Sequence, residues 1–201
     1  TFSSNVATST ITVVAVNDTP TLAAPASYSG SEDTALTING LTMADVDAGT
    51  SSVQLTISVP TGVGTLNFAS TPFVTGLNNG TGTVTLQGQR AAIVNAVNSG
   101  ALTLSPATNF NGTSAVTFVF NDRGNSGRDP GLTADATSEE ARVTATLNIA
   151  PVNDAPVAVG NLPPQTNVDA QSGINVATAG GFTDVEAVSG ERRRVVGLVV
   201  A

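Results

Sequence analysis

The segment ATSTITVVAVNDTP (7–20) recurs as VTATLNIAPVNDAP (143–156), 136 residues further along the chain. Both copies alternate β-branched or leucine residues with polar ones, which is typical of β-strands, and both end in Val-Asn-Asp-x-Pro. A second match, ADVDAG (44–49) with TDVEAV (183–188), follows in the same order at an offset of 139. Two ordered matches at nearly one offset indicate a tandem repeat whose period is about one β-sandwich domain.

This repeat divides the chain into three parts. We expect the last strand of a preceding repeat with its linker (1–18), a complete repeat (19–152), and a linker with the opening of a further repeat (153–201). Within the complete repeat, short β-branched segments recur between Gly, Pro, Asn and Asp clusters. They are ALTING (35–40), SVQLTISV (52–59), VGTLNF (63–68), GTVTLQG (82–88), ALTLS (101–105), AVTFVF (115–120) and RVTATLNI (142–149).

One segment of the complete repeat has a different period. QRAAIVNAVNS (89–99) spaces its apolar residues to suit a short helix that packs on the core. The sequence therefore predicts an all-β sandwich with one short helix inserted.

The residue types that are missing limit the chemistry of the chain. It contains no His, Cys, Lys or Trp. Without these residues there is no Ser-His or Cys-His nucleophile pair, no zinc or copper site built on nitrogen or sulfur, and no Schiff base or Walker phosphate loop. Only carboxylate chemistry, such as that of a glycosidase, stays open, so we expect no enzyme.

The net charge of the chain limits the classes of partner that it can bind. Fifteen acidic residues against seven arginines give a net charge of −8. Such a surface repels nucleic acids and anionic lipids but attracts divalent cations. No apolar run approaches the roughly 20 residues that cross a bilayer, so we expect no membrane insertion.

Strand directions gather acidic residues at one end of the repeat, here called the upper end. The linker enters there, the first strand runs away from it, and the second strand returns to it. The strand that pairs with the last strand also finishes at this end. The side chains so gathered are Asn17, Asp18, Asp45, Asp47 and Asp122.

Carboxylates gathered in this way repel one another unless a cation sits between them. Calcium takes six to eight oxygen ligands, including carboxylates, amides and backbone carbonyls, and so fits this set. Asp45 and Asp47 are two residues apart, and in an extended segment both side chains face one side. The opposite reading is that each aspartate forms a turn by bonding nearby backbone groups.

The opposite end, here called the lower end, carries a second acidic set. It comprises Glu32, Asn153, Asp154, Asp184 and Glu186, with Asp33, Asn109 and Asn111 as further candidates.

Together these residues resemble the cadherin-like tandem repeats of very large bacterial surface and secreted adhesins. The motifs that carry the resemblance are the VND-x-P linkers, SEDT (31–34), ADVD (44–47), NFNGT (109–113), FND-x-G (120–124) and GNSG (124–127). The resemblance implies a cadherin/immunoglobulin-like Greek-key sandwich in which calcium binds between successive domains and stiffens the array.

The resemblance also implies roles for individual residues. At the upper junction it implies ligand roles for Asp18, Asp45, Asp47 and Asp122, with a carbonyl from Asn17. At the lower junction it implies Glu32, Asp154 and Asp184, with a carbonyl from Asn153. The family's acidic Asp-Arg-Glu near the bottom turn is replaced here by NFNG, which leaves only the neutral Asn109 or Asn111.

These observations lead to two hypotheses. The first is a non-enzymatic, calcium-rigidified spacer of a bacterial adhesin, extracellular at the cell surface or secreted, that supports adhesion or biofilm formation. Its partners are the neighbouring repeats. The second is a binding or self-assembling module that contacts a partner or another copy through its long loop (122–140) or its edge strands. In one variant, the strand at 7–16 completes the unfinished repeat of another copy, giving head-to-tail chains.

Overall fold

Alternating apolar and polar residues give this chain its β-sheets, as seen in a computed structural model that describes residues 8–124, 140–154, 157–159 and 181–183. The chain divides into two compact units, Thr1–Ala150 and Pro151–Ala201. Within the second unit, β12 (Val157–Val159) pairs antiparallel with β13 (Gly181–Thr183). The remaining strands and the helix belong to the first unit.

The larger sheet of the first unit has six strands in the order β2-β11-β10-β5-β8-β7. Their bounds are Ser27–Ser31, Glu140–Ala150, Gly112–Asn121, Ser52–Ser58, Thr83–Gln89 and Val74–Leu77, respectively. β2 runs parallel to β11, whereas the other neighbours are antiparallel. The second strand of the repeat thus pairs with its last strand.

The second layer is a smaller sheet in the order β3-β9-β6, with bounds Leu36–Thr37, Leu102–Pro106 and Gly64–Phe68. A separate antiparallel pair joins β1 (Thr21–Ala23) to β4 (Thr42–Ala44). One hydrophobic core lies between the layers and takes alternate residues from both sheets, such as Leu55 and Phe118 on one side and Leu66 and Leu104 on the other. The predicted all-β sandwich is confirmed.

The predicted helix is also confirmed. α1 (Arg90–Ala96) continues into a π-helical turn, Val97–Ala101, in which Gly100 departs from helical geometry with φ of 90°. Ile93, Ala96 and Val97 are buried, so the apolar spacing reflects packing on the core. The left-handed backbone at Gly100 lets the chain leave the helix and enter β9.

Within the first unit, the sequence analysis did not predict β4 and β7. Both are short, and three of the four residues in β7 are exposed. Each places only one residue in the core, Met43 or Val74, and is otherwise held by backbone pairing with β1 or β8, so apolar periodicity could not reveal them.

Of the segment expected to be the last strand of a preceding repeat, residues 8–18 are described, and none of them lies in a named strand. Residues 8–15 form no strand and are exposed, with Ile11 at 86% and Val13 at 87%. No helix among the described residues is long and apolar enough to cross a membrane.

Candidate functional site

The upper end is organised around the linker residue Asn17, which is 2% exposed. Its Nδ2 donates a hydrogen bond of 3.0 Å to Oδ2 of Asp122, which is 1% exposed. The two residues are 105 positions apart in sequence. The buried contact therefore ties the incoming linker to the segment that follows β10.

Asp122 lies in a tight turn. Its Oδ1 accepts a hydrogen bond of 3.0 Å from the backbone N–H of Gly124. Arg123 and Gly124 both have positive φ, 67° and 62°, and the Arg123 N–H donates to Oδ1 of Asn121 at 2.8 Å. Asn and Asp side chains that bond the backbone two residues on stabilise such turns. The turn holds the Asp122 carboxylate facing Asn17.

The third segment of the upper end is the turn after β4. Oδ1 of Asp45 accepts hydrogen bonds from the N–H groups of Asp47 and Ala48, at 2.8 and 3.0 Å. Oδ2 of Asp47 accepts one from the N–H of Asp18 at 2.7 Å. The expectation of an extended segment with both carboxylates on one side is wrong. Residues 46–47 form a bend, and the Asp45 carboxylate stabilises it through these hydrogen bonds.

These contacts form one continuous hydrogen-bonded path. It runs from Asp122 to Asn17, along the linker to Asp18, and on to Asp47 and Asp45. All five residues predicted for the upper end are thus brought together. Their role as metal ligands stays a prediction, and within residues 8–124 and 140–154 no three acidic side chains form a ready metal-binding group.

The chemistry of the set nevertheless fits a hard cation. Every side chain on the path offers oxygen, and Oδ2 of Asp45 is buried without a hydrogen-bond partner. Buried polar atoms normally have a partner, and such an exception points to an ion or a water molecule. Oxygen ligands of this kind are those that calcium prefers.

The sequence analysis did not predict that a positively charged side chain, Arg90, also lies at this end. Nη1 of Arg90, at the start of α1, donates a hydrogen bond of 2.7 Å to the carbonyl of Met43, two residues before Asp45. The guanidinium thereby holds β4 and the turn that follows it. The only sequence signal was that Arg90 is the first charged residue after Asp47.

At the lower end, the structure places Glu32 in the interior, with 0% exposure. Its N–H donates to the carbonyl of Ala150 at 3.0 Å, and its Oε2 accepts a hydrogen bond of 3.3 Å from Nδ2 of Asn111. The neutral candidate Asn111 thus contacts the acidic residue directly. Asp33 and Asn109 both adopt left-handed backbone, with φ of 60°, as turn formers do.

The other predicted residues of the lower end belong to the second unit. Asn153 and Asp154 are described there, with Nδ2 of Asn153 donating to the Asp154 carbonyl at 3.2 Å. Asp184 and Glu186 lie outside the described residues. The lower metal set therefore stays a prediction.

Comparison with models of known protein families and with curated proteins found no match. The function is therefore argued from the residues of this chain.

Proposed function

We propose that this chain is a non-enzymatic spacer built of cadherin-like tandem repeats, in which calcium at the domain ends stiffens the array. Its place would be outside the cell, on the surface of a bacterium or secreted, as part of a large adhesin that supports adhesion or biofilm formation. Neighbouring repeats of the same chain are its partners, and calcium is its cofactor.

The observation that carries this proposal is the hydrogen-bonded path at the upper end. Three segments far apart in sequence, the linker and the turns at Asp45 and Asp122, contact one another through acidic or amide side chains. A hydrophobic contact would have sufficed to anchor a linker. An anchor made of carboxylates instead gathers negative charge, which favours a divalent cation at this place.

The proposed ligands are the side chains of Asp18, Asp45, Asp47 and Asp122, with an oxygen of Asn17. Bound calcium would supply positive charge that removes the repulsion among the carboxylates. Oδ1 of Asp45 already holds its turn, so the buried Oδ2 is the oxygen left for the ion. The Asp18 residue is exposed, so its carboxylate can turn toward the cation without breaking a buried contact.

Stiffening follows from the position of the ligands. Asn17 and Asp18 belong to the linker, whereas the other three residues belong to the sandwich, so an ion shared among them removes freedom of the linker. A linker restricted in this way would hold successive repeats in line. The mechanism is electrostatic and entropic and needs no catalytic group.

The test is a thermal melt and a calcium titration of the whole chain in calcium, magnesium and chelator. Calcium at a hundredfold excess over its dissociation constant should stabilise the fold by about 2.7 kcal/mol. Magnesium should do much less, because it demands a tighter octahedral shell. Small-angle scattering should show a longer particle in calcium.

Asp45→Asn should abolish the calcium response, since it removes the charge of the residue whose Oδ2 is buried without a partner. Glu140→Gln is the matched control, because it also removes one negative charge but lies outside both predicted ligand sets, and Gln keeps the oxygen that accepts a hydrogen bond from Nδ2 of Asn121. Melting and scattering that do not change on addition of chelator would overturn the calcium proposal.

A second candidate function is a binding or self-assembling module. The exposed β-branched residues 8–15 and the edge strand β7 favour it, because exposed extended segments and edge strands can pair with further strands. Calcium-independent association would support this candidate over the spacer.

A further inference from the structure

Asparagine is followed by glycine at three places in the chain, all of them described: Asn39-Gly40, Asn79-Gly80 and Asn111-Gly112. In such a pair the backbone nitrogen of the glycine can attack the side-chain amide carbon of the asparagine, because no Cβ hinders its approach. In a folded chain, hydrogen bonds that hold the amide or the attacking nitrogen oppose this reaction. The structure therefore decides which of the three pairs can react.

The pair at Asn79 is held at every reacting group. Oδ1 of Asn79 accepts a hydrogen bond of 2.6 Å from the N–H of Phe68, and Nδ2 donates one of 3.2 Å to the carbonyl of the same residue. The N–H of Gly80 donates to the carbonyl of Leu66 at 2.9 Å. A reaction here would break all three hydrogen bonds, so the fold protects this pair.

The pair at Asn111 is held at its amide and at its attacking nitrogen. Nδ2 of Asn111 donates to Oε2 of the buried Glu32 at 3.3 Å. Gly112 begins β10 and is paired with Ile149 of β11. The next residue of β11, Ala150, directs its carbonyl to the N–H of Glu32 instead. Because hydrogen-bonding directions alternate along a strand, Ile149 faces β10 and engages the N–H of Gly112.

The pair at Asn39 lacks both kinds of protection. Asn39 is exposed, and neither its side chain nor the N–H of Gly40 makes a hydrogen bond to any residue that the structure describes. Gly40 has φ of 77°, and a Cβ at this position would lie 2.8 Å from Cγ of Pro25. The fold therefore requires glycine here, and glycine leaves the attacking nitrogen unhindered.

A single hydrogen bond opposes ring closure at Asn39. Oη of Tyr28, a residue that is 6% exposed, donates to the Asn39 carbonyl at 2.7 Å. This carbonyl and the Gly40 nitrogen belong to one planar peptide group. Turning the nitrogen toward the Asn39 side chain therefore turns the carbonyl away from Tyr28. The tyrosine hydroxyl slows the reaction but does not prevent it, since only one hydrogen bond has to break.

We propose that Asn39 is a site of spontaneous covalent modification, which converts it to aspartate and isoaspartate while the other two pairs persist. The Gly40 nitrogen bonds to Cγ of Asn39, the bond from Cγ to Nδ2 breaks, and ammonia leaves with the proton of the Gly40 N–H. Water then opens the succinimide ring. Opening at Cγ gives aspartate, and opening at the backbone carbonyl gives isoaspartate. The only co-reactant is water, and nothing is oxidised or reduced.

Isoaspartate adds one carbon atom to the backbone between two fixed residues. The N–H of Ile38 donates to the carbonyl of Leu102 at 2.9 Å. The N–H and the C=O of Leu41 both bond the Asn98 side chain, each at 2.9 Å. Ile38 and Leu41 are buried, so neither can move outward to accommodate a longer chain. We therefore expect the isoaspartate form to melt at a lower temperature than the asparagine form.

The test incubates the whole chain at mildly alkaline pH in chelator, once folded and once in urea, because base activates the attacking nitrogen. Cleavage before aspartate and after arginine places the three pairs in separate peptides, 33–44, 47–90 and 91–121. Mass spectrometry measures conversion in each peptide, and an isoaspartyl methyltransferase detects isoaspartate. In urea the three pairs should react at similar rates. In the folded chain, Asn39 should react at least about tenfold faster than Asn79 or Asn111.

Tyr28→Phe keeps the buried ring but removes the hydroxyl that holds the Asn39 carbonyl. It should speed conversion of Asn39 by about 2- to 10-fold, which corresponds to one hydrogen bond. Asn79 and Asn111 in the same molecules should keep their wild-type rates, which excludes general loosening of the fold. Asn39→Gln is the matched control, because its longer side chain would have to close a six-membered ring and should not convert.

Three results would overturn the proposal. The first is a folded chain in which Asn39 converts no faster than Asn79. The second is a Tyr28→Phe variant in which all three pairs accelerate together, since the hydroxyl would then act on the whole fold. The third is an Asn39→Gln variant that forms as much isoaspartate as the wild type. Because calcium is absent throughout, none of these results bears on the calcium proposal.

Discussion

Replacing Asp122 by alanine separates the structural role of the upper end from its proposed ion binding. The Asp122 carboxylate is 1% exposed and accepts hydrogen bonds from Nδ2 of Asn17 and from the N–H of Gly124, each 3.0 Å long. Alanine removes both acceptors and leaves a small cavity at the point where the linker meets the sandwich.

The magnitude follows from these two bonds. A hydrogen bond to a charged group contributes about 1.5–3 kcal/mol. Removing the carboxylate also relieves the cost of burying it, which offsets part of the loss. We therefore expect Asp122→Ala to lower the free energy of unfolding by about 2–4 kcal/mol in chelator. For a chain of this size that is a melting temperature lower by roughly 5–15 °C.

Asp122→Asn should lie between alanine and the wild type. Its amide keeps one oxygen acceptor, but its NH₂ group must face either Nδ2 of Asn17 or the Gly124 N–H, which are both donors. Asp33→Asn is the control and should change stability by less than about 0.5 kcal/mol, because Asp33 is exposed.

The assay is urea unfolding followed by circular dichroism, in chelator and in calcium. In the wild type, calcium should add stability, whereas in Asp122→Ala it should add none. A loss below about 1 kcal/mol in chelator would refute the hydrogen-bond reasoning. A full calcium gain in the alanine variant would refute the ligand role of Asp122, whatever its effect in chelator.

The fold carries two further predictions. The Asn98 side chain bonds both the N–H and the C=O of the buried Leu41, each at 2.9 Å, so Asn98→Ala should cost about 2–4 kcal/mol in urea unfolding. The exposed Asn148→Ala on β11 should cost little, and equal losses in the two variants would contradict this account. Burial raises the pKa of Tyr28 from 10.0 to about 12. Since the unfolded tyrosine ionises first, stability should fall between pH 10 and 12. Tyr28 is the sole tyrosine, so ultraviolet absorbance of its phenolate reports this titration, and a midpoint at 10 would contradict it.

Much of the sandwich could be predicted because its core strands alternate strictly. Leu55 and Ile57 face the core while Gln54 and Thr56 face outward, and the same alternation runs through β8, β10 and β11. Strand direction also follows from the order of strands and turns, which is why Asn17, Asp45 and Asp122 could be expected at one end. Burial on one face imposes a period of two on the sequence.

The details of the candidate site could not be predicted in this way. Asp45 was expected in an extended segment, yet its carboxylate caps the turn that follows. Whether a carboxylate bonds its own turn or faces outward depends on what packs against the turn. Here the backbone N–H of Asp18, in the linker, donates a hydrogen bond to the carboxylate of the neighbouring Asp47. The two residues are 29 positions apart in sequence.

By itself, the sequence determined the sandwich, the single helix, the repeated linker and the charge-free run from residue 48 to residue 89. Only the tertiary structure decided that Asn17 and Asp122 are buried against each other and that β7 lies at one end of the six-stranded sheet. One physical reason explains why neither of these two features could be predicted from the sequence. Periodicity records which residues face the core, whereas long-range pairing decides which strand lies outermost and which polar groups meet.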